Sequence, residues 1–199
     1  MGKVIFDITA SLDGFVAGPN DNPENPMGDG GMRLFDWYFS DPETTRSPEF
    51  IDPEASDREI LDEAVQSVGA IVSGRRTYDN AHGWNGEHPV HVPVLVVTHQ
   101  PPEGVGEFKG AFVTDGVESA IRRAQAIAGD KDVAVASPNI ARQCLKAGLL
   151  DELSLHIVPV LLDGGVRLFD HLGTEHIELE CTRAVNTNKV LHLTYRVAK

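Results

Sequence analysis

At 199 residues with 41% hydrophobic content, the chain can build one full hydrophobic core and is short for two. Its net charge of −13 repels polyphosphates, so no nucleic-acid or anionic-membrane partner is expected. Two widely spaced cysteines in apolar settings, Cys144 and Cys181, fit reduced core residues, and no apolar run approaches the ~20 residues of a membrane span or forms a signal peptide. The expectation is a soluble, cytoplasmic, single-domain protein over residues 1–199.

Residues 3–10 predict an opening strand, with Val4, Phe6 and Ile8 on one face. The segment 11–18 brings glycines that let backbone approach closely. Residues 19–31, rich in Pro, Gly, Asn and Asp, form a long loop, and loops of this size tend to be functional. Met32 to Phe39 reads as a short aromatic helix, either packed over a sheet edge or walling a pocket. Residues 40–55 are a second polar loop. Ser56 with Glu59 suggests a capping box before a helix whose face is Ile60, Leu61, Ala64, Val65 and Val68, closed by Gly69.

Three buried strands follow: 70–73, ending in the turn 74–79; 92–97, ending in Thr98-His99; and 111–113, ending in Thr114-Asp115-Gly116. Residues 80–92 between the first two are a loop with Trp84 and three histidines. The histidine spacing there lacks the cysteine or HExxH context of a zinc site, so no metal is expected. A helix with Val117, Ala120, Ile121, Ala124 and Ile127 on one stripe ends at Gly129.

The stretch 133–169 organises the rest. Residues 133–136 form a strand, Ser137 takes the N-cap position, Pro138 the first helical position, and Gly148 the C-terminal turn. Leu153, Leu155, Ile157 and Val160 resume a strand before Asp163-Gly164-Gly165, so this is a crossover unit with parallel strands. Residues 177–185 and 190–197 alternate around a turn at 186–188, a hairpin closing the sheet's edge. Four apolar strands thus each end in a compact polar turn, and in a wound α/β sheet such turns line up along one edge. Adjacent Arg75 and Arg76 in an acidic chain suit a phosphate-rich ligand, because guanidinium forks bind phosphate bidentately; surface ion pairing is the alternative.

Taken together, Ser11-Leu12-Asp13-Gly14-Phe15, Gly74-Arg75-Arg76-Thr77-Tyr78, Val94 to Thr98, Ala147 to Leu153 and Pro159 to Phe169 resemble the dihydrofolate reductase-like superfamily. Within it, the chain is similar to the C-terminal reductase domain of the bifunctional riboflavin-biosynthesis deaminase–reductase. The resemblance implies a mainly parallel eight-stranded sheet with flanking helices and a C-terminal antiparallel hairpin, an NADPH cofactor and a homodimer. It also implies that Gly74, Arg75, Arg76 and Thr77 hold cofactor phosphates, and that Thr98 and His99 meet the adenosine ribose and its 2′-phosphate. The turn at residues 136–138 would lie under the pyrophosphate and nicotinamide, with Ser137, Pro138, Asn139 and Ile140 as cofactor-binding residues.

The chain departs from the family twice. Ser137-Pro138 replaces a glycine pair joined by a cis bond in dihydrofolate reductases, so a cis Ser137-Pro138 bond is expected. The ribose-phosphate segment of the riboflavin reductase is not recognisable between residues 79 and 91. Asp13 and Asp36 are the candidate catalytic acids, and Phe15, Trp37 and Trp84 the candidate substrate walls. The reading is an NADPH-dependent reductase of a small heterocyclic substrate, pterin- or pyrimidine-like. The alternative is a nucleotide-binding sensor or scaffold that has lost catalysis.

Overall fold

The computed structural model describes residues 2–39, 54–173 and 176–198; most of the polar loop expected at 40–55 lies outside them. Among the described residues ten strands form in chain order: β1 Val4–Ser11, β2 Phe15–Ala17, β3 Val68–Gly74, β4 Val94–Val97, β5 Gly110–Val113, β6 Asp132–Val135, β7 Glu152–Val158, β8 Val166–Arg167, β9 Leu179–Asn186 and β10 Leu191–Val197. Four α-helices accompany them: α1 Ala55–Ser67, α2 Arg75–Asn80, α3 Val117–Ala128 and α4 Pro138–Lys146.

Eight strands make one sheet in the order β5-β4-β3-β6-β1-β7-β10-β9, while β2 and β8 pair in a small second sheet. All pairs from β5 to β7 are parallel, and β10 returns antiparallel to both β7 and β9. The expected architecture is therefore observed. The chain leaves β6, crosses as α4 and returns as β7, with β1 parallel between them, as a right-twisted crossover requires.

Alternation along β1 explains the layering, since successive side chains leave opposite faces. Val4, Phe6 and Ala10 enter the main core with Val72, Val133, Val135 and Leu153, covered by α3 and α4. A second cluster forms around Leu34, Trp37, Val158 and Val190, and a third around Ile71, Val94 and Val96. In α3 the expected stripe is buried except at its border, where Ile127 is half exposed.

Several expectations shift. The aromatic segment Gly31–Tyr38 is a 3₁₀ helix that buries Leu34 and Trp37. Helix α1 starts from Glu54 without a side-chain cap; Ser56 is already inside its first turn, so the Ser56–Glu59 capping box does not form. Val68 and Gly69 open β3 instead of ending that helix. A Cβ at Gly69 would come within 2.9 Å of Ala128, so the glycine lets α3 lie close to the sheet. Cys144 is buried, but Cys181 is exposed, because it sits on the edge strand β9. Strand β7 is enclosed between β1 and β10, so it has no free pairing edge; the edges of the main sheet are β5 and the hairpin strand β9.

The Ser137-Pro138 bend is made without a cis bond: among the described residues no peptide bond is cis. Ser137 sits at φ −145° and ψ 131°, the extended geometry that a following proline favours. Pro138 then starts α4 with a φ already suited to a helix, so a trans bond suffices to turn the chain.

Phe6 has no exposed surface and lies in the main core. Phe6→Ala is expected to cost about 3–5 kcal/mol, read as a lower urea midpoint at unchanged m-value.

Candidate functional site: a groove across the strand ends

Parallel register brings Gly74 level with Val97, Val97 level with Val113, and Val72 level with Val135. The chain turns after these strands consequently share one edge. Between them runs a groove of about 820 Å³, within the size range of cofactor sites. Every residue assigned to cofactor binding from the sequence lines it: Gly74, Arg75, Arg76, Thr77, Thr98, His99, Ser137, Pro138, Asn139 and Ile140.

Ser137 joins two of the turns. Although it occupies the N-cap position of α4, its hydroxyl makes no capping bond there. Its Oγ instead accepts from the Gly74 N–H at 2.8 Å and lies 2.8 Å from Thr77 Oγ1 and 3.2 Å from Ser73 Oγ. The side chain is turned toward β3 because the backbone donor of Gly74 is partly buried and needs an acceptor.

The arginines are held by acids. Arg75 Nε donates to both carboxylate oxygens of Asp79 at 2.8 and 2.9 Å, and its Nη1 donates to the Gln100 carbonyl at 2.9 Å. That side chain therefore ties α2 to the turn after β4. Arg76 pairs with Asp21, which also accepts from Asn80 Nδ2 at 3.1 Å. Arg142 adds a third guanidinium to the lining. It stands one helical turn beyond Pro138, so its place beside the groove was readable from α4 periodicity. Asp21 was not readable, because its long loop reaches Arg76 only through tertiary packing.

The remaining candidates lie elsewhere. Asp13 accepts from Ser11 Oγ at 2.6 Å and from the backbone N–H groups of Leu162 and Asp163 at 3.1 and 2.8 Å. The Ser11 hydrogen bond, chiefly, holds the Asp13 carboxyl below the usual range, so at neutral pH it is an acceptor that pins the 160–165 loop, outside the groove lining. Gly165 in that loop has φ +114°, and a Cβ there would meet the Ala17 carbonyl at 2.0 Å. Asp36 forms an i,i+3 ion pair with Arg33 at 3.2 Å.

Among the aromatics, Phe15 lies under the Arg167 guanidinium, and Trp37 is fully buried against His156 and His192. Trp84 packs on Tyr78 and His88. None of the three lines the groove; Phe35, Met27 and Val16 form its apolar wall instead. Around Trp84, burial pushes His88 down to about 4, so it stays neutral, and its Nδ1 accepts from the Val90 N–H. His91 pairs with Glu87.

Ser137→Ala leaves the Gly74 N–H and the Thr77 hydroxyl without their shared partner. The expected cost is about 1–3 kcal/mol, measured by denaturant unfolding. Asp13→Ala should speed amide exchange at Leu162 and Asp163 while leaving the strand ends β3 and β6 protected.

With that geometry in place, comparison with known proteins identifies the relatives. A family model described as the RibD C-terminal domain matches residues 2–193. A curated relative, the uncharacterized protein YwjB of Bacillus subtilis (strain 168), is 21% identical over 194 residues, 96% of each chain. A putative riboflavin biosynthesis protein from Shewanella sp. PV-4 superposes with a TM-score of 0.68 at 22% identity, covering 100% of both chains. Dihydrofolate reductase from Enterococcus faecalis, complexed with NADP(H) and RAB-propyl, gives a TM-score of 0.59 at 14% identity, covering 100% of this chain and 98% of that one. The match runs from ahead of β1 into β10 and takes in every turn around the groove, so the chain belongs to the RibD C-terminal domain family, a reductase-like family, and has a dihydrofolate reductase-like fold.

Proposed function

We propose that this protein is an NADPH-dependent reductase of a small heterocyclic substrate, pterin- or pyrimidine-like. One observation carries the reading: Arg75, Arg76 and Arg142 line a single strand-end groove in a chain of net charge −13. Three guanidinium groups concentrated there are a donor set matched to phosphate oxygens, and a related fold is known as a complex with NADP(H). The phosphates would be held by Arg75, Arg76, Thr77 and Ser137, and the 2′-phosphate by Thr98 and His99. When bound, the cofactor supplies hydride; the chain orients it and excludes water. Ile8, Val16, Met27 and Phe35 line the same groove and offer the apolar surface on which a flat heterocycle would lie.

Binding must displace an acid. Asp21 and Asp79 now occupy the guanidinium groups of Arg76 and Arg75, and a phosphate would exchange with them. Cytoplasmic location and a homodimer through the hairpin edge are further parts of this reading. It is consistent with them that the described residues contain no helix long and apolar enough to cross a membrane, and that Leu179 and Leu191 are exposed on the hairpin.

A second reading, a nucleotide-binding sensor without turnover, draws on a different feature. Among the described residues the only carboxylate lining the groove is Asp21, and it is ion-paired. No protonated carboxyl is thus built into the wall, and a reductase would need water as its proton source.

Fluorescence titration with NADPH and NADH separates these readings. Tighter binding of NADPH is expected, and Arg76→Ala should weaken it about ten- to a hundredfold, from the ~1.5–3 kcal/mol of a charged hydrogen bond. Oxidation of bound NADPH by a pterin or pyrimidine supports the reductase; tight binding with no turnover supports the sensor. Binding of neither nucleotide overturns both.

A further inference from the structure

On the far side of β1 from the main core lies a feature that the groove does not use. His156 on β7 stands directly opposite His192 on β10, and their Nδ1 atoms are 2.7 Å apart. His156 Nε2 reaches Asp7 Oδ1 of β1 at 3.1 Å, and His192 Nε2 reaches Asp57 Oδ1 of α1 at 3.0 Å. Both rings and Asp57 are buried, while Asp7 is a third exposed toward a second cavity of about 340 Å³.

The protons in this chain can be counted. Its three links, carboxylate–imidazole, imidazole–imidazole and imidazole–carboxylate, each require one proton, whichever atom holds it. Two neutral imidazoles bring only two. The fully bonded chain therefore holds a third, and its net charge is −1 instead of −2. Two further observations fit a positive charge here. Asp57 Oδ2 is buried without a hydrogen-bond partner, a charge that would otherwise be uncompensated. The Trp37 ring packs against both imidazoles, tilted to His156 and edge-to-face with His192, with centroids 5.1 and 5.2 Å away, within cation–π range.

The chain also fastens a helix. Among the described side chains of α1, only that of Asp57 is buried. We propose that Asp7, His156, His192 and Asp57 share one extra proton and act as a pH-sensitive clasp holding α1 against the sheet. The pair titrates as a unit. Rising pH removes the third proton and leaves one link without a hydrogen. Falling pH adds a fourth and sets two imidazolium rings face to face. The second step is disfavoured in the folded state, where burial chiefly pushes His192 below its ordinary value; the corresponding stability is present above about pH 6.5 and is lost as pH falls. The first step has the opposite sign, because the folded chain holds a proton that the unfolded imidazoles release.

Other charged groups face the clasp from Glu63 on α1, Asp132 on β6, Glu152 on β7 and Arg183 on β9. The Tyr38 hydroxyl beside Asp7 is raised by burial and by that carboxylate, so it stays neutral. Glu63 pairs with Arg183 and Glu152 with Lys3, so these acids have partners of their own.

The test is a pH series on the isotopically labelled full-length protein. Ring ¹⁵N shifts of His156 and His192 and carboxyl ¹³C shifts of Asp7 and Asp57 count the protons directly. Three are expected near neutrality, with one on the Nδ1–Nδ1 link; two would overturn the proposal. Amide exchange of α1, corrected for its intrinsic pH dependence, should be slowest near neutrality. Protection should fall on both sides, by at most about tenfold per pH unit for one proton. Asp57→Asn should flatten that profile, and an unchanged bell in this variant would also overturn it. If the variant does not fold, the proton count in the unmodified protein decides.

Discussion

The Ser137 hydroxyl, accepting from the Gly74 N–H across two strand ends, is the contact on which the groove depends. Parallel register places the ends of β3 and β6 side by side, but register alone leaves the turns beyond them free to splay. One side-chain oxygen bridges them, reaching Ser73, Gly74 and Thr77 together. Because the serine precedes a proline, its backbone is confined to the extended region; its hydroxyl is taken by the Gly74 N–H instead of capping its own helix. The Arg75 link to Gln100 extends the same bracing to the end of β4. The walls of the groove are thus held before any ligand arrives, which lowers the entropic cost of binding.

Electrostatics sets the terms on which a ligand enters. In an acidic protein, isolated arginines attract their own acids, and Asp21 and Asp79 have taken that place. The Arg75–Asp79 pair is partly exposed on both sides, so it contributes little to stability and its loss is correspondingly easy to offset, whereas Asp21 is itself buried beside an exposed Arg76. A phosphate carrying more charge in a bidentate geometry competes well for the same guanidinium.

Strand β1 connects this chemistry to the remainder of the molecule. Its carboxyl-terminal half contributes Ile8 and Thr9 to the groove, while Asp7 opens on the second cavity. Beyond it, Ser11 and Asp13 clamp the loop after β7. The Ser-Leu-Asp-Gly-Phe and Pro-Val-Leu-Leu-Asp-Gly-Gly segments are far apart in sequence yet answer one structural need: the carboxylate satisfies backbone donors of a turn that has no strand partner.

Much of this was present in the order of residues. Small β-branched runs ending in Gly, Ser or Thr marked the parallel strands, because a strand covered on both faces has no polar positions to spare. The turns that followed marked the groove, because parallel strands must all end on one side. Tertiary structure alone decided the rest. Whether an aromatic lines a cavity or fills the core depends on which neighbour reaches it, so Trp37 and Phe35, two residues apart, part company. Whether an aspartate donates a proton or pins a loop depends on partners 150 positions away, as Asp163 is from Asp13. The His156–His192 chain likewise exists only because antiparallel register aligns two strands and α1 brings Asp57 to its end. Local pattern reports burial and backbone preference; the pairing of polar atoms is a property of the folded whole.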